Sequence, residues 1–232
     1  PCFLCPDSLP EEERGIEFGE EFVILCNPYP ILDSHLSVVR REHVPQRIAG
    51  ELSTMLDLAR ALPGYMVLYN GPDCGASAPD HLHFQACRHE MVPAIADVER
   101  GRGLVIKDYA RHVLLLREID PAAVCERFSD LMDRLRDLDP HRSEPMVNVV
   151  VFFNGWEWVV MVFPRVKHRP EAYLNGELMF SPASIDLCGV PVLPVESDFE
   201  KVDSATIEHI FMEVTIPSSV FGKIVDELES VK

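Results

Sequence analysis

Runs of apolar residues broken by turn formers mark out the strands of this chain. Residues 21–45, "EFVILCNPYPILDSHLSVVRREHVP", hold two β-rich runs separated by Asn27-Pro28-Tyr29-Pro30 and Asp33-Ser34, the pattern of an antiparallel hairpin. From Ala49 to Leu62, Leu52, Leu56 and Ala59 recur at helical spacing and stop before Pro63-Gly64. "GYMVLYNGP" then reads as a short strand closed by Asn70-Gly71-Pro72, and "HLHFQACR" resumes as a strand after a loop of small residues at 74–80. Residues 121–138 predict an amphipathic helix with Val124, Phe128, Leu131 and Leu135 on one face. "MVNVVVFFNGWEWVVMVFP" predicts a second hairpin turning at Asn154-Gly155, with Trp156 and Trp158 as core or inter-half packing. "SATIEHIFMEVTIP" follows proline-rich connections, and an amphipathic helix from about Ser219 to Lys232 closes the chain.

A weak internal repeat lies over this pattern. Arg40-x-x-His43-x-Pro45 aligns with Arg165-x-x-His168-x-Pro170, each behind a strand pair. The expectation is an α+β protein of two related halves, 1–108 and 109–232, with the join between Asp108 and Glu144.

Composition narrows the possibilities. At 232 residues and 47% hydrophobic, the chain can bury one large core or two small ones. A formal charge of −17, with no long basic run, argues against a general nucleic-acid binder. An anionic ligand must therefore meet a local basic cluster, and "RVKHRP", with Arg165, Lys167, His168 and Arg169, is a candidate for phosphate. No apolar run reaches the length of a membrane span, and residues 1–25 lack a signal peptide's layout, so a cytoplasmic protein is expected. The chain starts at Pro1 with a motif pressed against it, which suggests that residues precede it. Seven irregularly spaced cysteines, two as Cys2-x-x-Cys5, suit metal ligands and core thiols better than a disulfide framework.

The chemistry concentrates in "CGASAPDHLHFQACR", residues 74–88. On a strand, His81, His83 and Gln85 share one face while Leu82, Phe84 and Ala86 point into the core. Gly75, Ala76 and Ser77 are small enough for backbone N–H groups to approach an anion, and the Ser77 hydroxyl can donate to it. A neutral imidazole beside such a pocket is a competent nucleophile toward phosphorus. Cys2, Cys5, His43 and His81 form a Cys2His2 set of the kind that closes a structural zinc tetrahedron, with Cys74 as a possible further ligand. His35 reads as a buried hairpin histidine satisfied by hydrogen bonds.

"NGPDCGASAPDHLHFQ" resembles the active-site strand of the histidine-triad superfamily, in the branch of galactose-1-phosphate uridylyltransferases, diadenosine tetraphosphate phosphorylases and GDP-hexose phosphorylases. "SHLSVVRREHV" resembles that superfamily's GHxLVxPKxH hairpin, with His35 and His43 at the two histidine positions, and Cys2-x-x-Cys5 sits where many members carry zinc cysteines. The resemblance covers residues 1 to about 95 and is looser beyond. It implies a histidine-triad-like antiparallel sheet with helices, the first half catalytic and the second degenerate. It further implies His83 as the nucleophile, which becomes nucleotidylated at the α-phosphorus of a nucleotide donor. Gln85 stands where hydrolytic relatives carry a third histidine, which implies transfer or phosphorolysis to a phosphate or sugar-phosphate acceptor. Asn70, Gly75 and Ser77 would line the phosphate and ribose side. Leu82 replaces the proline of the uridylyltransferases, a departure toward the GDP-hexose phosphorylases. A dinucleoside polyphosphate hydrolase and a non-catalytic nucleotide-binding module are the alternatives. Two fused halves would imitate the superfamily's homodimer, leaving both a monomer and a homodimer open.

Overall fold

The computed structural model describes residues 2–90, 92–101, 103–106 and 109–230. Among the described residues, eight strands form one antiparallel sheet: β1 Ile16–Phe18, β2 Phe22–Cys26, β3 Leu36–Arg40, β4 Tyr65–Asn70, β5 His83–Arg88, β6 Leu114–Glu118, β7 Val147–Phe153 and β8 Trp158–Pro164. Their spatial order is β1-β2-β3-β5-β4-β7-β8-β6. The helices are α1 Leu52–Ala61, α2 Pro93–Arg100, α3 Pro121–Arg136, α4 Glu171–Leu174, α5 Ser184–Leu187, α6 Glu196–Lys201, α7 Ser204–Val214 and α8 Ser218–Ser230. None is long and apolar enough to cross a membrane.

The expected hairpins form as β2–β3 and β7–β8, and the expected helices as α1, α3 and α8. At the second hairpin, Gly155 takes φ +92, a conformation that strains any residue with a Cβ, and the Asn154 side chain accepts the N–H groups of Trp156 and Glu157. That turn throws Trp156 outward, where it is 69% exposed, so it does not pack in the core as expected. Trp158, two residues later and back on the strand, is buried and donates from Nε1 to the Leu56 carbonyl of α1 at 3.1 Å.

Both faces of the sheet are covered, because alternate residues of the central strands are apolar in both directions. One face presents Val67, Tyr69, Phe84, Ala86, Val149, Val151 and Val160 to α1, α3 and α8. The other presents Met66, Leu68, Cys87, Val150, Phe152, Val159 and Met161 to α2, α5 and α7. Full burial of each Val, Leu, Phe or Met side chain among them contributes about 1.5–3 kcal/mol.

The order β3-α1-β4-β5, with β5 lying between β3 and β4, recurs as β6-α3-β7-β8, with β8 lying between β6 and β7. β4 and β7 meet in the middle of the sheet, with Leu68 opposite Val150. This recurrence differs from the sequence alignment of Arg40 with Arg165. Arg40 ends β3, whose counterpart is β6, whereas Arg165 follows β8, the counterpart of β5. The expected boundary at Asp108 falls outside the described residues.

A buried carboxylate ties the two runs together. Glu144, just before β7, accepts the Tyr69 hydroxyl at 2.6 Å and the Ile48 N–H at 2.8 Å. Burial raises its pKa against the pull of these donors. Tyr69→Phe is expected to cost about 1–3 kcal/mol by leaving a buried carboxylate oxygen without a partner. Urea unfolding would register this as a lower midpoint, and an unchanged midpoint would show that the bond contributes nothing.

Candidate functional site

β5 opens at His83, the point where the sheet stops being regular. Its pairing with β3 ends at Val39↔His83, and its pairing with β4 ends at Leu68↔Gln85. His81 and Leu82 precede the strand, yet Leu82 and Phe84 enter the core as their alternation requires. The opposite face carries His83 and Gln85.

His83 is 4% exposed, and its Nδ1 lies 2.8 Å from the His81 carbonyl oxygen. A carbonyl only accepts, so Nδ1 bears the proton and Nε2 is left as the bare nitrogen. Nε2 makes no hydrogen bond among the described residues. Burial lowers the pKa of this imidazole and keeps it neutral near pH 7.

The orientation of Gln85 follows from a similar chain of donors. The Ile31 N–H donates to His35 Nδ1 at 3.1 Å, which forces the His35 proton onto Nε2. Nε2–H therefore donates to Gln85 Oε1 at 3.0 Å, and the Gln85 NH2 group is turned away with both donors free among the described residues. His35 is buried and doubly bonded, as the sequence suggests, and burial lowers its pKa.

Cys2, Cys5, His43 and His81 converge, their ligand atoms all within 4.8 Å of one another. Cys2 Sγ lies 3.3 Å from His81 Nδ1, and Cys5 Sγ lies 3.2 Å from His43 Nδ1. A tetrahedral ion with ordinary zinc–sulfur and zinc–nitrogen bonds would set sulfur–nitrogen edges of about 3.6 Å. His81 Nε2 donates to the Arg40 carbonyl at 2.7 Å, and His43 Nε2 lies 3.5 Å from the Asp80 carboxylate. Both imidazoles thus aim Nδ1 at the cluster and anchor the other nitrogen to an oxygen, the usual outer arrangement of metal-bound histidines. The residues fit a metal ion. Cys74 is not among them: it is buried elsewhere, its thiol pushed up to about 12 by burial.

The loop before β5 is held by side chains from the other half of the sheet. Asn148 of β7 donates from Nδ2 to Asn70 Oδ1 and to the Cys74 carbonyl, both at 2.7 Å. The Ser184 N–H also donates to Asn70 Oδ1, at 2.9 Å. Gly75 has φ +94, and a Cβ there would lie 2.8 Å from that of Ala183. Close packing against the second half therefore requires glycine at this position, independently of any anion. Ser77 is exposed.

Arg165 does not lie free for phosphate as the sequence suggests. It is buried, and all five guanidinium donors are committed: to Asn148 Oδ1 at 2.6 Å and to the carbonyls of Pro182, Lys167, His168 and Val214. Its reach toward the site runs through Asn148. Lys167 pairs with Glu171 at 3.0 Å and Glu213 at 2.7 Å, and nothing joins it to His83. Sequence reasoning missed Gln46, Asn148 and Glu144. Each is an ordinary polar residue in an apolar stretch or loop, and only the fold shows that it is buried.

Residues 1–88 match a family described as a domain of unknown function (DUF4922). A galactose-1-phosphate uridylyltransferase of Halalkalibacterium halodurans is 31% identical over 84 residues, 35% of this chain. The match spans only 16% of that relative's length. Among solved structures, yeast Ap4A phosphorylase Apa2 superimposes with a TM-score of 0.71 at 20% identity, covering 92% of this chain and 81% of Apa2. Its complex with Ap4A gives a TM-score of 0.65 at 21% identity, covering 85% and 74%. The fold is therefore that of Apa2, and the α+β antiparallel sheet with helices expected from sequence is the one observed.

Protein purified without chelator is expected to carry about one metal ion per chain. His43→Ala should release it and lower the melting temperature, and metal analysis of an intact preparation showing none would remove the site. Titration offers a separate check. Below about pH 6.5 the unfolded chain protonates His35 while the folded chain, with its lowered pKa, does not. Its contribution to stability is thus complete above that pH and is lost as pH falls toward the folded-state value. The urea midpoint should fall further between pH 7.5 and 5.5 in the native sequence than in His35→Gln; equal falls would contradict the buried neutral ring.

Proposed function

We propose that this chain is a nucleotidyltransferase or phosphorylase that works through a covalent nucleotidyl-histidine on His83. The observation that carries the reading is the state of His83: neutral, fixed through Nδ1, with Nε2 unbonded among the described residues and the Gln85 NH2 group, likewise free among them, two residues along the same strand face. The fold shared with Apa2 and the local similarity to a uridylyltransferase point to the same chemistry.

In the first step the His83 Nε2 lone pair forms a bond to the α-phosphorus of a nucleoside diphosphate sugar or dinucleoside polyphosphate. The bond to the bridging oxygen breaks, and the remaining phosphate departs with that electron pair. In the second step an oxygen of inorganic phosphate or a sugar phosphate attacks the same phosphorus, and the P–N bond breaks back to His83. Gln85 donates to a non-bridging oxygen throughout. Ser77 and the backbone around Gly75 contact phosphate, and Asn70 shapes that wall. Arg165 supports the wall through Asn148, and Lys167 is assigned to the outer acceptor side.

The metal in this reading is a single zinc held by Cys2, Cys5, His43 and His81 in a structural role. Bound there, it would engage the His81 ring nitrogen, leaving His83 as the nucleophile, and would steady the residue whose carbonyl His83 bonds. The apolar β8, counterpart of β5, makes residues 109–232 the degenerate half, and the two halves in one chain stand in for a homodimer. Seven free cysteines accord with a cytoplasmic protein, whose thiols stay reduced.

Incubation with α-labelled donors in the absence of acceptor should place an acid-labile, base-stable label on His83. His83→Asn should abolish labelling with little loss of stability. Product formation should depend on phosphate or a sugar phosphate; equally fast turnover without acceptor, releasing nucleoside monophosphate, would make the protein a hydrolase. Label on another residue, or none with any donor, would dismiss the mechanism.

A further inference from the structure

We infer that Gln46 is the positioning residue for His83, a reading that rests on the proposed chemistry at that histidine. Gln46 is completely buried and lies in the gap where β4 and β5 part. Its Oε1 accepts the His83 N–H at 2.8 Å, and its Nε2 donates to the His83 carbonyl at 3.0 Å and to the Asn70 carbonyl at 2.9 Å. One primary amide thus takes both main-chain groups of His83 and one of Asn70. In a regular sheet these groups would bond across the ladder. Here a side chain substitutes for the ladder, so the strands separate at His83 without leaving buried backbone unpaired.

The position of Gln46 is itself fixed from several directions. Its own N–H donates to the Pro79 carbonyl at 3.3 Å, and the Leu82 N–H donates to the Val44 carbonyl at 2.8 Å, so residues 44–46 run against the approach to β5. His43, three residues earlier, belongs to the metal cluster, and Ile48, two residues later, is bonded to Glu144. The segment 43–48 is therefore pinned at one end by the metal ligands, at the other by a carboxylate of the second half, and applies Gln46 to His83 between them. Because His83 Nδ1 bonds its own chain at His81, the direction of Nε2 is set by the backbone there, which Gln46 holds on both sides. A displacement of about 1 Å in a reacting group can reduce a rate on the order of 100-fold.

Gln46→Met keeps the volume and removes all three bonds. In metal-loaded protein, single-turnover labelling from the α-labelled donor should fall about 100-fold at saturation. The donor concentration giving half-maximal rate should change by less than about threefold, since Gln46 does not touch the donor. NMR of 15N-histidine-labelled protein should show His83 as a single Nδ1–H tautomer in the native sequence and a mixture in the variant. Should Gln46→Met fail to fold, Gln46→Glu, which retains the acceptor for the His83 N–H, is read in the same two ways. A folded, metal-loaded variant with labelling within about twofold of the native rate and an unchanged tautomer would overturn the inference. If the native protein takes no label at all, the proposed function fails, and the tautomer comparison alone decides the role of Gln46.

Discussion

The hydrogen bond between His83 Nδ1 and the His81 carbonyl determines which nitrogen of the His83 ring is free, and much of the molecule bears on that one contact. The carbonyl can accept only if its own residue is held still. His81 is completely buried, one ring nitrogen bonded to Arg40 and the other facing two cysteines. The adjoining Leu82 is locked by Val44 and Arg40 through its backbone and by the core through its side chain. A neutral, desolvated imidazole with a fixed tautomer requires such support, since a solvated one would exchange protons and rotate.

The second half of the sheet supplies further rigidity to the surroundings of His83. Its strand β8 is apolar and buried over its full length, and its polar residues reach back across the β4–β7 seam. Arg165 fixes Asn148, Asn148 fixes Asn70 and the Cys74 carbonyl, and Ala183 closes on Gly75. The buried guanidinium is fully bonded, which limits the penalty for removing a charge from water. Loss of the second half would release the loop before β5 as well as expose the seam.

Period-two and helical patterns in the sequence announce the two hairpins, the strands at 65–70 and 83–88, and helices α1, α3 and α8, because burial on one or both faces dictates those patterns. The Cys/His cluster that could hold a metal is legible because two cysteines three positions apart, together with two histidines, supply a complete set of four tetrahedral donors. The strand face shared by His83 and Gln85 is legible from their alternation after small residues. Arg165 misleads for a physical reason: a cationic cluster looks the same in sequence whether its guanidinium faces solvent or five carbonyl and amide oxygens. The short β1, the edge strand β6 and helix α2 carry too few patterned residues to announce themselves. Gln46 is invisible in the sequence, since nothing local to "HVPQRIAG" tells that its amide will substitute for a strand.

The pairing of His35 with Gln85 bears on the choice between transfer and hydrolysis. A third imidazole at position 85 could take a proton from water or give one to a leaving oxygen near neutral pH. A carboxamide can do neither, and here its oxygen is occupied by His35, so on the proposed reading only the NH2 donors are available to the phosphate. Those donors stabilise negative charge on a phosphate oxygen but leave water unactivated. On the proposed reading, the nucleotidyl-histidine then persists until an acceptor arrives that is already anionic and needs no base. Phosphate and sugar phosphates meet that condition and water does not. On that reading the Ile31–His35 bond is part of the specificity: if it is lost, His35 can change tautomer, Gln85 can flip, and its oxygen would face the phosphate with the wrong polarity.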